Sequence, residues 1–173
     1  MKNNLQIALL IENMFNEFEV IYPYYRLLEA GVGAVVVGPR KEEYHSKAGL
    51  TIAADKAVSQ VKASGLDGVI IPGGFAPDYM RVNRAMVTLV RQLDRQGKLV
   101  AAICHGGWML ASAQIINGRE MTSVPNIKDD MLHAGGLWQD KEVVVAGNLI
   151  TSRRPSDMPA FMREVLKFLN NKA

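Results

Sequence analysis

Cysteine is nearly missing from this chain: Cys104 is the only one in 173 residues. That excludes an intramolecular disulfide framework and any zinc cluster built on several thiolates. Long apolar runs are missing too, and none approaches the roughly eighteen residues that a membrane-spanning helix needs. Charge of one sign is scarce. Lys and Arg total 20 against 17 Asp and Glu, a net +3, and no basic run exceeds two residues. Without a basic–aromatic ladder there is no nucleic-acid footprint. Met1-Lys2-Asn3-Asn4 has neither the apolar segment nor the cleavage site of a secretion signal, so the expected compartment is the cytoplasm. The loop after the first apolar run, Glu12-Asn13-Met14-Phe15-Asn16, lacks the glycines of a nucleotide-binding turn.

What is present is ordinary globular composition, 49% apolar and 21% charged, in a length that suits one domain over 1–173 with its core at about 5–169. Short apolar runs alternate with helical patterns. Ile7–Ile11 reads as a strand buried on both faces, Ala34–Val37 and Gly68–Ile71 as a second and third strand, Leu99–Ile103 as a fourth, buried one, and Glu120–Thr122, Val143–Ala146 and Asn148–Ser152 as later ones. Between them, Ile21, Tyr24, Tyr25 and Leu28 define one helix, and Met86, Leu89, Val90 and Leu93 another. A closing helix over Pro159–Leu169 turns Phe161, Val165, Phe168 and Leu169 inward, ahead of a polar tail at 170–173. The polar stretch Lys41–Asp55 has room for a short hairpin. This alternation predicts an α/β fold, a mostly parallel sheet with helices on both faces, and ligands bind such sheets at the carboxyl ends of the strands.

Cys104 stands at such an end. It follows Leu99–Ile103 and precedes His105-Gly106-Gly107 and a helical stretch from Trp108. A strand that breaks into a helix through a small-residue turn is the geometry of a nucleophile elbow. The helix N-terminus there favours thiolate over thiol. A lone cysteine is more often a core thiol, but a core thiol has no use for two adjoining glycines. Pro72-Gly73-Gly74, after the third strand, is either a plain tight turn or an oxyanion hole in which the N–H groups of Gly73 or Gly74 act with that of His105. Glu19, at the start of the first helix, is either a dipole-complementing acid or a carboxyl that exchanges a proton with the sulfur. The sequence does not separate it from Glu12 and Glu17. His105 needs an orienting carboxylate to act as a base, and Asp78, Asp129 and Asp130 are the candidates. His45 and His133 sit in polar context and read as surface residues.

The segments Glu19–Tyr24, Ile71–Asp78, Ala102–Gly106, Asn126–Asp130 and Thr151–Asp157 together resemble the PfpI family, within the protein-deglycase superfamily and the class I glutamine amidotransferase-like fold. The resemblance runs from about residue 5 to 169. It implies a flavodoxin-like three-layer sandwich in which Cys104 is the nucleophile, Glu19 contacts its sulfur and His105 is the triad histidine. Gly73, Gly74 and the His105 amide would form the oxyanion hole. Asp78 matches the position of an acidic residue that reaches a neighbouring subunit's histidine, which implies a homo-oligomer, dimer or hexamer. No metal or organic cofactor is implied. Asn16 stands where many relatives carry glutamate, which implies one carboxylate fewer in the pocket. Gly107 replaces a frequent proline, Trp108 a smaller residue and Val124 a pocket tyrosine. Trp108 is expected to pack in the core.

Two functions from different classes follow. One is a cysteine-dependent enzyme on carbonyl substrates, either small dicarbonyls or amides and peptides, including a dedicated intracellular protease. The other is a stress sensor that works through oxidation of Cys104, with no resolving cysteine in the chain.

Overall fold

The computed structural model describes residues 5–171. In chain order its elements are β1 (Gln6–Leu10), α1 (Glu17–Glu29), β2 (Gly33–Gly38), β3 (Glu43–His45), β4 (Thr51–Ala53), β5 (Lys56–Ala57) and β6 (Gly68–Ile71). There follow α2 (Ala76–Met80), α3 (Arg84–Arg95), β7 (Leu99–Ile103), α4 (Gly107–Ala113), β8 (Glu120–Met121), α5 (Lys128–His133), β9 (Leu137–Trp138), β10 (Val143–Ala146), β11 (Leu149–Ser152) and α6 (Met158–Asn170). Seven strands form one sheet in the order β10-β11-β7-β6-β1-β2-β5, parallel except for β10 against β11. This is the flavodoxin-like α/β arrangement expected.

The continuous apolar runs become the central strands because each is covered on both faces. Ile7–Leu10, Val69–Ile71 and Leu99–Ile103 are buried throughout. α1 and α6 pack together on one side of the sheet, and α3 and α4 on the other. The Lys41–Asp55 stretch does hold a hairpin, β3 against β4, and β8 pairs with β9 in a separate two-stranded sheet. Met86, Leu89, Val90 and Leu93 form the buried face of α3. In α6, Phe161, Val165 and Leu169 are buried but Phe168 only partly. The expected tail at 170–173 is shorter than read: Asn170 closes α6, and residues 172 and 173, like Met1–Asn4, lie outside the described residues.

One helical stripe points the other way from its obvious reading. α1 buries Glu19, Val20, Pro23 and Leu27, while Tyr25 is 64% and Leu28 45% exposed. The stripe of Ile21, Tyr25 and Leu28 looks outward, because the neighbouring Val20–Pro23–Leu27 stripe serves the core equally well. Pro23 is tolerated inside the first two turns of this helix, at a position where its ring is buried.

β1 lies between β2 and β6, so the chain leaves it in one direction and later returns on the other side. The crevice at the carboxyl ends of β1 and β6 is the switch point at which doubly wound sheets bind ligands. The loops after β1, β6 and β7 meet there, joined by bridges from Phe15 to Gly74 and from Phe15 to Ser46.

Candidate active site

The turn after β7 is a strained elbow. Cys104 has φ +59°, one of only three non-glycine residues with positive φ among the described residues. Such strain persists only where the surroundings enforce it, and here they are crowded. A methyl group on Gly106 would come 2.7 Å from the Ile71 carbonyl, and one on Gly107 2.8 Å from Met131 Sδ. The two glycines therefore let the elbow pass beneath β6 and into α4.

Glu19 is wholly buried, and its Oε2 accepts the Gly73 N–H at 2.6 Å. Oε1 is buried without a hydrogen-bond partner. Burial pushes the carboxyl up to about 7, assisted by the charge of Glu17. The Gly73 N–H, the Cys104 thiol and the Lys47 ammonium oppose the shift. The same burial, together with the charge of Glu19, pushes the Cys104 thiol up to about 12, against the backbone N–H groups of His105 and Gly74. This direction runs against the thiolate preference expected of the helix start, because desolvation beside a carboxylate opposes the two N–H groups. The two acids act as a unit, and its first proton leaves near neutrality.

The oxyanion hole also needs correction. The Gly73 N–H is taken by Glu19. Gly73 is required on other grounds, since a methyl group there would lie 2.6 Å from Cys104 Cβ and 2.8 Å from Glu19 Oε2. Gly74 at φ +75° has no room for a methyl group against the Met14 carbonyl. The N–H groups left to face the sulfur are those of Gly74 and His105.

His105 Nδ1 lies 3.3 Å from Cys104 Sγ. Its ring stacks on Phe75, with centroids 6.1 Å apart, and meets Trp108 at 5.0 Å. Burial, then the Lys47 charge, lowers its pKa and so favours the neutral ring. Among the described residues no carboxylate is hydrogen-bonded to it. Asp130 instead holds the Trp108 Nε1–H at 2.8 Å, and Asp78 is exposed on α2 without a side-chain partner. His45 and His133 are exposed, as expected.

Trp108 is half-buried and forms a wall beside His105 as well as touching the core. It was expected as core packing, but α4 begins at the elbow, which turns its first side chain toward the site. Asn16 caps α1 by accepting the Phe18 N–H at 3.1 Å, and Glu17 supplies a second carboxylate near Glu19. Val124 sits close to the elbow, its N–H 3.4 Å from the Cys104 carbonyl. Lys47 gives no sequence signal. It reaches the site because the β3–β4 loop is tied to Phe15, whose carbonyl accepts the Lys47 N–H at 3.0 Å. Among the described residues no group of three or more His, Cys, Asp or Glu side chains could hold a metal ion. No helix among them is long and apolar enough to cross a membrane.

The DJ-1/PfpI family profile matches residues 5–168. The chain belongs to this family. It is 41% identical over 165 residues to the deglycase PfpI of Pyrococcus furiosus, covering 95% of this chain and 99% of that one. Protein/nucleic acid deglycase 2 of Escherichia coli is 38% identical over 167 residues, covering 95% and 97%. Among solved structures, a two-domain protein from Anabaena variabilis with DJ-1/ThiJ/PfpI-like and ferritin-like domains superposes with TM-score 0.94 at 42% identity. It covers 95% of this DJ-1/PfpI chain, which spans half of that longer one.

Proposed function

We propose that this chain is a cysteine-dependent enzyme acting on small carbonyl compounds, with Cys104 as nucleophile and Glu19 as proton carrier. The observation that carries the reading is Glu19 itself, a buried carboxyl raised to about 7, with one oxygen unpartnered, beside the thiol. A group that titrates near the working pH is suited to take and return protons. The names of deglycase relatives support the same reading.

With a 2-oxoaldehyde such as methylglyoxal the steps balance as follows. The sulfur bonds to the aldehyde carbon as the C=O π bond breaks, and the thiol proton ends on that oxygen, giving a hemithioacetal. Glu19 then removes the hydrogen from that carbon as a proton, giving an enediol; the hydroxyl proton passes from the first oxygen to the second, and Glu19 returns its proton to the neighbouring carbon, leaving a thioester with a 2-hydroxyl group. Water cleaves the thioester to lactate and the free thiol. The N–H groups of Gly74 and His105 stabilise the oxyanion formed on addition. No external oxidant or reductant is consumed.

Amide or peptide cleavage needs in addition a protonated leaving amine, hence an oriented His105. That role falls to Asp78 of a neighbouring copy, so peptidase activity requires a homo-oligomer. The sensor reading is weaker, because oxidation needs an accessible low-pKa thiol and burial raises this one.

Lactate formation from methylglyoxal by wild type, Cys104→Ala and Glu19→Gln, with casein in parallel, tests the reading. Cysteine-dependent lactate supports it. Cysteine-dependent proteolysis without lactate overturns it in favour of the protease.

A further inference from the structure

His105 Nδ1 lies 3.3 Å from Cys104 Sγ, with no carboxylate hydrogen-bonded to the ring among the described residues. The second torsion of a histidine side chain is broad and roughly two-fold, so a ring left to itself turns either Nδ1 or Cδ2 toward the same neighbour. The first step of the reaction needs the nitrogen. As the sulfur bonds to the aldehyde carbon and the C=O π bond breaks, the thiol proton has to reach the new oxygen. A neutral imidazole with Nδ1 at the sulfur accepts that proton and passes it to the oxygen.

Two aromatic rings touch the imidazole. Phe75 stacks on it at 25° with centroids 6.1 Å apart, and Trp108 meets it at 53° and 5.0 Å. Such contacts hold the plane of a ring. Within that plane, only the setting with Nδ1 at the sulfur makes a hydrogen bond. The two neighbours are not equally firm. Phe75 is 57% exposed. Trp108 packs against the core, and its Nε1–H donates to Asp130 Oδ2 at 2.8 Å. The Arg81 guanidinium lies 5.7 Å from its ring, close enough for a cation–π contact. Arg81 in turn donates its Nε–H to Ser112 Oγ at 3.1 Å, one turn further along α4.

The local sequence builds this anchor. α4 begins at Gly107, and a methyl group there would lie 2.8 Å from Met131 Sδ, so the glycine lets α5 come close. Asp130 precedes Met131 in the first turn of α5 and is thereby brought to the indole. We propose that Trp108, anchored by Asp130, is a positioning residue that holds the His105 ring with Nδ1 at the sulfur. Asp130 thus acts on the histidine at one remove, through an aromatic ring and within a single chain. The proposal rests on the carbonyl reading above for the step that the ring serves.

The first test needs no substrate. In histidine-labelled protein, the imidazole NMR signals of His105 are those missing from His105→Gln, and the neighbouring rings should displace them from the position of free histidine. Asp130 is exposed, and Asp130→Ala leaves both rings in place. A displacement that shrinks in Asp130→Ala and is kept in Asp130→Asn, which retains an acceptor oxygen, is the expected result. The second test is methylglyoxal turnover. Asp130→Ala should lower kcat about tenfold with KM little changed, as for a misplaced proton carrier. Asp130→Asn should recover most of that loss. Trp108→Phe keeps a ring but has no Nε1–H, so it should lose as much as Asp130→Ala and lose no more when the two are combined. In a His105→Gln background Asp130→Ala should cost nothing further. His105 signals that Asp130→Ala leaves unmoved, or an equal fall in kcat with and without His105, overturn the proposal. Failure of the wild type to turn over methylglyoxal would count against the carbonyl chemistry, while the ring signals still decide the positioning.

Discussion

Glu19 receives the backbone N–H of Gly73 at 2.6 Å, from a residue 54 positions away in sequence. That bond satisfies one carboxylate oxygen, Oε2, and leaves the other, Oε1, buried with the thiol as its neighbouring group. It joins the start of α1 to the end of β6, so the acid–base pair is held by the sheet's switch point.

Stability should carry the mark of this buried acid. A carboxyl raised to about 7 in the folded state, against an ordinary 4.5, contributes stability that is fully present below pH 4.5 and lost as pH rises through 7. Glu19→Gln removes the penalty while keeping an oxygen for Gly73. The variant should gain on wild type between pH 4.5 and 8, by on the order of 2–3 kcal/mol. Denaturant midpoints across that range check it, and parallel curves would show that Glu19 titrates as an ordinary surface acid.

The two elbow glycines should differ in their tolerance. Gly106→Ala meets the Ile71 carbonyl, which cannot move without displacing β6, and should cost about 2–3 kcal/mol. Gly107→Ala meets the flexible Met131 side chain and should cost less than half of that. Urea unfolding of the pair makes the comparison.

Lys47→Met should raise the pKa of both Glu19 and His105, since the ammonium lowers each. The acid limb of the pH–rate profile for methylglyoxal should move to higher pH with the maximal rate little changed. An unmoved limb would mean that Lys47 is screened from the site.

Asp78→Ala and Cys104→Ala chains, mixed under conditions of subunit exchange, should recover amide-hydrolysing activity that neither has alone. On the proposed homo-oligomer, each Asp78→Ala chain would keep its nucleophile and borrow the other's carboxylate. No recovery would show that Asp78 does not act across subunits.

Much of the fold was legible because its strands are continuous apolar runs: Leu99–Ile103 followed by Cys-His-Gly-Gly could scarcely be anything but an elbow. The inward face of α1 was not, because Val20–Pro23–Leu27 and Ile21–Tyr25–Leu28 are equally good stripes and only the sheet beneath chooses between them. At the site the residue types were readable, but the direction of backbone groups was not. Nothing in Pro72-Gly73-Gly74 says that the first glycine's N–H serves a carboxylate. Lys47 was invisible because a long-range bridge at Phe15 brings it in. The environment of the thiol was not legible either, because a helix start is a local signal and burial beside Glu19 is not.

The most direct test of the central claim is the pH dependence of kcat/KM for methylglyoxal in wild type and Glu19→Gln. In wild type the rate should rise through an ionisation near 7, as the Glu19–Cys104 pair loses its first proton. In Glu19→Gln that limb should vanish and the rate fall on the order of a hundredfold or more. An unchanged limb near 7 in Glu19→Gln would contradict the account and assign the working proton to another group.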